Sequence, residues 1–252
     1  VDRIDYANDT ATATVKGPLS SARYYLAATG NSSYGYFGAG HSVTTVDRID
    51  YSNDTSTATL KGSLSAARYG LTSTGTSSYG YFGGGFSSPS FFTTVDRIDY
   101  SNDTATAAVK GPLSLGRYRF AATGTSTFGY FSGGRTGAFP SVTTIDRIDY
   151  SSDTSTALAK GPLSSARYTH AASGNSSYGY FGGGYPTSSL VDRFDYANDT
   201  AIAVAKGPLS SARSLLAATS NSLYSYFGAG HSVTTVDRID YANDTATATV
   251  KG

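Results

Sequence analysis

Five residue types are absent from the chain: Cys, Met, Trp, Glu and Gln. Without Cys there is no disulfide, no thiolate metal ligand and no Cys nucleophile, and zero Cys suits an oxidising or a reducing compartment equally. Without Glu, Asp is the only side-chain carboxylate for acid/base work. A charge excess of either sign is missing too. The chain carries 19 Lys plus Arg against 18 acidic residues, a net charge of +1, so no field draws it to nucleic acid or an anionic membrane surface. No apolar run approaches the roughly 20 residues that span a bilayer. No basic segment leads into an apolar one as in a signal peptide, and no Met stands at position 1, so the chain reads as a processed product or an excerpt. What is present is 39% hydrophobic residues over 252 positions, enough to build a core, and disorder is not expected.

So narrow an alphabet suggests copying, and self-similarity runs throughout. The phrase Val-Asp-Arg-Ile-Asp-Tyr begins at Val1, Val46, Val95 and Val236, with variants at Ile145 and Val191. The spacings are 45, 49, 50, 46 and 45 residues. Between these marks recur Asn-Asp-Thr with a Thr/Ala stretch, Lys-Gly-Pro-Leu-Ser, and Ala-Ala-Thr-Gly leading to Tyr-Gly-Tyr-Phe-Gly. Residues 1–17 and 236–252 are identical. Each full period carries three Asp, two Arg and one Lys and is neutral, except 95–144, where Arg119 and Arg135 add two positive charges, so the net charge follows from the repeat unit and says little about a partner.

Within a unit the signals are those of strands. Val46 to Tyr51 mixes β-branched and aromatic residues and precedes Ser52-Asn53-Asp54, a tight-turn signal. Thr55 to Leu60 alternates with period 2, and Gly62 ends it. Tyr24 to Thr29 and Tyr34 to Gly38 flank the Gly30-Asn31 turn. No segment has a helical period with caps. Four short strands per unit, each ended by Gly, Pro or Asn-Asp, predict an all-β propeller of four-stranded antiparallel blades.

The order of Arg68, Leu71 to Thr74, Tyr79-Gly80-Tyr81-Phe82-Gly83-Gly84 and Tyr100, repeated in the other copies, resembles the kelch repeats. The resemblance covers the whole chain and departs at one marker, because the family's Trp position falls near Ala58 or Ala107. It implies one propeller with repeats 18–62, 63–111, 112–161, 162–207 and 208–252, and with 1–17 as a half blade. A ring of five blades is favoured over six places with one half filled. Either of the identical ends suits the closing strands, and a displaced one would add to another molecule, giving homo-oligomers or filaments by strand exchange.

The six Asp-Arg-x-Asp phrases are read as structural ion pairs. Alternation places Arg48 and Asp50 on one strand face and Asp47 on the other, so an Arg of one blade meets an Asp of the next. Asn8, Asn53, Asn102, Asn198, Asn243, Asn31 and Asn175 fit the N-glycosylation pattern but stand where turns themselves require Asn. Lys-Gly-Pro between strands is no phosphate loop, and the glycines are read as serving close approach of chains. His41, His170 and His231 have no zinc spacing, and no cofactor is implied.

The copies differ most after the Gly pair. His41, Phe86, Phe91, Phe92, Arg135, Phe139, Tyr185 and His231 fall there, on what the kelch resemblance implies is the binding face. The positions Tyr25, Gly70, Arg119, Thr169 and Leu215 are equivalent and also vary. The expected function is non-enzymatic binding of carbohydrate or protein through this face. The alternative is a structural subunit of an extracellular fibre or virion appendage, linked through the redundant half blade.

Overall fold

The computed structural model describes residues 1–41, 43–137, 140–231 and 233–251. The chain opens with β1 (Asp2–Arg3) and β2 (Thr14–Val15), a two-stranded antiparallel pair. Five four-stranded sheets follow, numbered here as blades 1 to 5. Blade 1 is β3 (Ala27–Gly30), β4 (Tyr34–Gly38), β5 (Val46–Asp50) and β6 (Thr59–Lys61). Blade 2 is β7 (Thr72–Gly75), β8 (Tyr79–Gly83), then, after the small hairpin β9 (Phe86–Ser87) and β10 (Ser90–Phe91), β11 (Val95–Asp99) and β12 (Ala108–Lys110). Blade 3 comprises β13 (Ala121–Gly124), β14 (Phe128–Ser132), β15 (Ile145–Asp149) and β16 (Leu158–Lys160). Blade 4 has β17 (Ala171–Gly174), β18 (Tyr178–Gly182), β19 (Val191–Asp195) and β20 (Val204–Ala205). Blade 5 has β21 (Ala217–Ser220), β22 (Tyr224–Gly228), β23 (Val236–Asp240) and β24 (Thr249–Lys251). Strands pair antiparallel in chain order within each blade, and the first strands pack on one another in succession, β3 on β7, β7 on β13, β13 on β17 and β17 on β21. The fold is the expected five-bladed β-propeller.

Two strand expectations need shortening. Tyr24 to Thr29 becomes strand only at Ala27, because Tyr25 holds a left-handed φ of 56° that a strand cannot contain. In Thr55 to Leu60 only the end is strand. Its earlier part turns to the adjacent connection, where the Ala58 amide donates to Pro18 O at 2.9 Å. The turn at Ser52-Asn53-Asp54 is one turn of 3-10 helix over Tyr51–Asn53, capped by Asp50, whose carboxylate accepts from the Ser52 amide.

Each aspartate of the unit has its own task. Asp47, on the inward face of β5, meets Arg23 at 2.8 Å, and the pairs Arg68–Asp96, Arg117–Asp146, Arg167–Asp192 and Arg213–Asp237 repeat it. Asp50 caps its turn. The Asp of the turn phrase binds the neighbouring blade: Asp103 receives Arg48 at 2.7 Å, Lys61 at 3.1 Å and the Tyr36 hydroxyl at 2.8 Å. The expected Arg-to-next-blade pairing is therefore present, with the acceptor now identified. The core between blades is aromatic, with Phe82, Phe131, Phe181 and Phe227 fully buried. Gly62 permits the close approach, since a Cβ there would overlap the Ala105 carbonyl of the next blade.

Residues 236–251 complete blade 5, with Tyr226 opposite Arg238 and Arg238 opposite Thr249. The identical N-terminal copy lies between blade 5 and blade 1. There Asp9 takes Arg238 at 2.8 Å, Lys251 at 3.3 Å and the Tyr226 hydroxyl at 3.0 Å, while Arg3 and Lys16 reach Asp54 of blade 1 at 2.7 and 3.1 Å.

Candidate ligand-binding face

The face is built outward from five buried arginines. Arg68 is fully buried, bonded through Nη2 to Asp96 and through Nε to Gly84 O at 2.7 Å. Such anchoring fixes the next two residues. In blades 1 to 4 the first of them is a tyrosine, Tyr24, Tyr69, Tyr118 or Tyr168, and in blade 5 it is Ser214. The second, at Tyr25, Gly70, Arg119, Thr169 and Leu215, has φ between 56° and 64°. This bend brings the five backbones together at the axis. Gly70 N donates to Tyr25 O, Arg119 N to Gly70 O, Thr169 N to Arg119 O and Leu215 N to Thr169 O, at 2.6 to 2.9 Å. The same five positions line a shallow central depression of about 240 Å³.

Around this depression the tyrosines and the variable segments form one arc. Tyr24 is stacked on His41 with centroids 5.1 Å apart, and Tyr25 is stacked on Tyr69 at 5.9 Å. Tyr69 meets Phe86 edge-on at 5.6 Å, and Phe86 contacts Phe91 at 4.8 Å and Tyr118 at 5.3 Å. Two cations continue the series. Arg119 lies 4.7 Å from the Tyr25 ring and bonds its hydroxyl at 2.9 Å, and Arg135 lies 4.9 Å from the Tyr168 ring. Tyr168 and Tyr185 close the arc at 5.1 Å. Tyr24 and Tyr185 are more than half exposed, and the rings between them are half-buried. At blade 5 the arc stops, because Ser214 offers no ring.

The structure brings together His41, Phe86, Phe91, Arg119, Arg135 and Tyr185 from the expected set. Phe92, half-buried like Phe86 and Phe91, instead lies beside buried Arg68, 5.7 Å from its guanidinium. His231 is exposed on blade 5, its amide donating to Ser214 O, and no ring contact joins it to the arc among the described residues. Phe139 lies outside the described residues. Sequence reasoning did not mark Tyr24, Tyr69, Tyr118 and Tyr168, which recur in register in blades 1 to 4 instead of varying between copies. Their signal was position: each directly follows the buried Arg, whose fixed side chain turns the next one outward.

His170 belongs to the interior. Its Nε2 shares a 2.9 Å hydrogen bond with Ser132 Oγ, and burial, with the positive charges of Arg167 and Arg117, holds its pKa well below 6.5. It is a neutral core residue at the position filled by Leu26, Leu71, Phe120 and Leu216 in the other blades. No group of three or more His, Cys, Asp or Glu that could hold a metal ion occurs among the described residues. No protein-family model and no curated protein matches the chain.

Proposed function

We propose that the chain is a non-enzymatic binding module whose aromatic arc holds an oligosaccharide. One observation carries this reading: rings from four blades, with Arg119 and Arg135 among them, form a single contact series with exposed ends at Tyr24 and Tyr185 and half-buried rings between them. Sugar rings present apolar C–H faces that pack on aromatic rings, and their hydroxyl or carboxylate groups accept from guanidinium donors. The kelch resemblance, in which loops on one face bind ligand, agrees with this placement. Blades 1 to 4 supply the platform and blade 5 leaves it open at one end, which suits a chain ligand that enters from that side.

The test is a glycan array followed by titration calorimetry on the best ligand. Tyr118→Ala and Arg135→Ala are each expected to weaken binding about tenfold or more, since stacking and charge-assisted contacts each contribute of the order of 1–2 kcal/mol. His231→Ala, off the arc, is expected to leave affinity unchanged. Absence of any glycan ligand, or equal affinity for all three variants, overturns the reading.

A further inference from the structure

We propose that the central depression is an anion subsite, where Arg119, the Tyr25 hydroxyl and free backbone amides hold the charged group, a carboxylate or a sulfate ester, of one acidic sugar unit. The inference rests on the oligosaccharide reading of the arc and specifies the class of glycan that the face selects.

Charge elsewhere in the chain is closed on itself. Among the described residues every Lys and Arg of the repeat pattern forms an ion pair with an Asp, in the buried pairs such as Arg117–Asp146 or in the outer clamps such as Arg97 and Lys110 on Asp153. Arg119 is off that pattern, and its hydrogen bond among these residues goes to a phenol instead of a carboxylate. The equivalent positions hold Tyr25, Gly70, Thr169 and Leu215, so the fold itself calls for no cation at the axis. A half-buried guanidinium without an opposite charge is unfavourable, and a ligand anion relieves it.

Around Arg119 the donors converge. Its Nη2 donates to the Tyr25 hydroxyl at 2.9 Å, and the guanidinium lies 4.7 Å from the Tyr25 ring and 5.3 Å from the Tyr118 ring, so two blades fix its place. The Nε atom is enclosed, whereas Nη1 is open and makes no hydrogen bond among the described residues. The Tyr25 hydroxyl accepts from Nη2 and keeps its own hydrogen to donate. Backbone donors lie beside them. The residues that follow the axial bend, Leu26, Leu71, Phe120, His170 and Leu216, line the same depression, and their amides donate to no acceptor among the described residues. Unpaired N–H groups gathered after left-handed residues favour an anion, as in backbone nests. No carboxylate lines the depression among the described residues to oppose one. Tyr25 also belongs to the arc, stacked on Tyr69, so a sugar ring packed on these tyrosines carries its charged group to Arg119. At about 240 Å³ the depression is smaller than the roughly 300 Å³ of drug-sized sites and suits a single sugar unit.

The test titrates the full 252-residue chain by calorimetry with two matched pairs: a uronate oligosaccharide and its carboxyl-reduced form, and a sulfated oligosaccharide and its desulfated form. One charged member is expected to bind about tenfold or more tightly than its neutral counterpart, by a margin that shrinks as salt is raised, and the pair that shows it assigns the charged group. Arg119→Leu, which installs the residue found at this position in blade 5, should keep Tm unchanged and remove the margin while leaving the neutral member's affinity within about twofold. Arg119→Lys, which keeps the charge without the planar fork, should retain part of the margin. Neutral members that bind as tightly as charged ones, or a margin that survives Arg119→Leu, overturn the subsite and leave the oligosaccharide reading standing. Absence of any glycan ligand overturns both. An acidic peptide that binds through Arg119 where no glycan does also overturns the proposal and assigns the face to a protein ligand.

Discussion

Arg117 and Asp146 are both fully buried, and among the described residues each is the other's only ion-pair partner. Removing one member leaves the other desolvated and unpaired. Asp146→Ala is therefore expected to destabilise the fold by about 3–5 kcal/mol in urea unfolding, against about 1 kcal/mol or less for Asp149→Ala, which loses an exposed turn cap. His170 gives a pH signature. The folded state keeps its imidazole neutral far below 6.5, whereas the unfolded chain takes up a proton near that value. Stability should fall as pH drops below about 6.5, with a slope of up to about 1.4 kcal/mol per pH unit, and His170→Leu should remove that slope between pH 4 and 6.5. The outer clamps act lower down. Burial raises the Asp103 and Asp244 carboxyls, but the tyrosine, lysine and arginine partners more than offset it and hold both below their usual 3.8. Their contribution is complete above that value and lost as pH falls beneath it. At this scale strand alternation made the two-sided use of Arg48 and Asp47 legible. It did not identify Asp103 as the acceptor of Arg48, because that residue lies one blade away.

Among the elements, the four strands of each unit were readable from β-branched and aromatic runs between turn signals, and β4 and β5 lie where those runs fall. The inner strand was read to begin three residues too early. Its sequence in blade 1, Tyr-Tyr-Leu-Ala-Ala-Thr, has strand propensity throughout, but the axis requires the bend at Tyr25. That requirement comes from the convergence of five backbones and not from local preference. A β-branched residue pays most in this conformation, so Thr169→Gly should raise stability by about 1 kcal/mol, with Gly70→Val lowering it; thermal unfolding checks both. The opposite logic governs the Lys-Gly junction. Gly111 approaches the Ser155 carbonyl of the next blade too closely for a side chain, so Gly111→Ala should cost about 2 kcal/mol or more by forcing the two blades apart. The period-2 pattern of Thr55 to Leu60 misled because its residues before Thr59 turn out of the strand, with the Ala58 amide tied to Pro18 O of the adjacent connection.

For the whole molecule, the surplus 17 residues have a definite place. Deleting residues 1–17 removes the clamp on Arg238, Lys251 and Tyr226 and opens the outer circuit. Circular dichroism melting should show Tm lowered by roughly 5–10 °C with blade 5 intact. Deleting 236–252, the same sequence, strips blade 5 to two strands and should abolish its cooperative folding. The proposed binding face also exists only at this scale. His41, Phe86, Arg119, Arg135 and Tyr185 were marked by variation between copies, but the tyrosines that join them into an arc are repeated in register, and their place after the buried Arg and their greater exposure distinguish them from the buried Tyr36 set.

The repeat unit, its strands, its neutrality and the pairing of its charges were determined by the sequence, since side-chain alternation and turn chemistry act over a few residues and recur with every copy. Only the tertiary structure decided which of two identical 17-residue segments completes blade 5 and which leaves a half-filled place. Identical segments have identical local energetics. What separates them is connectivity, which delivers Val236 directly from β22, and the neighbours that each segment then meets.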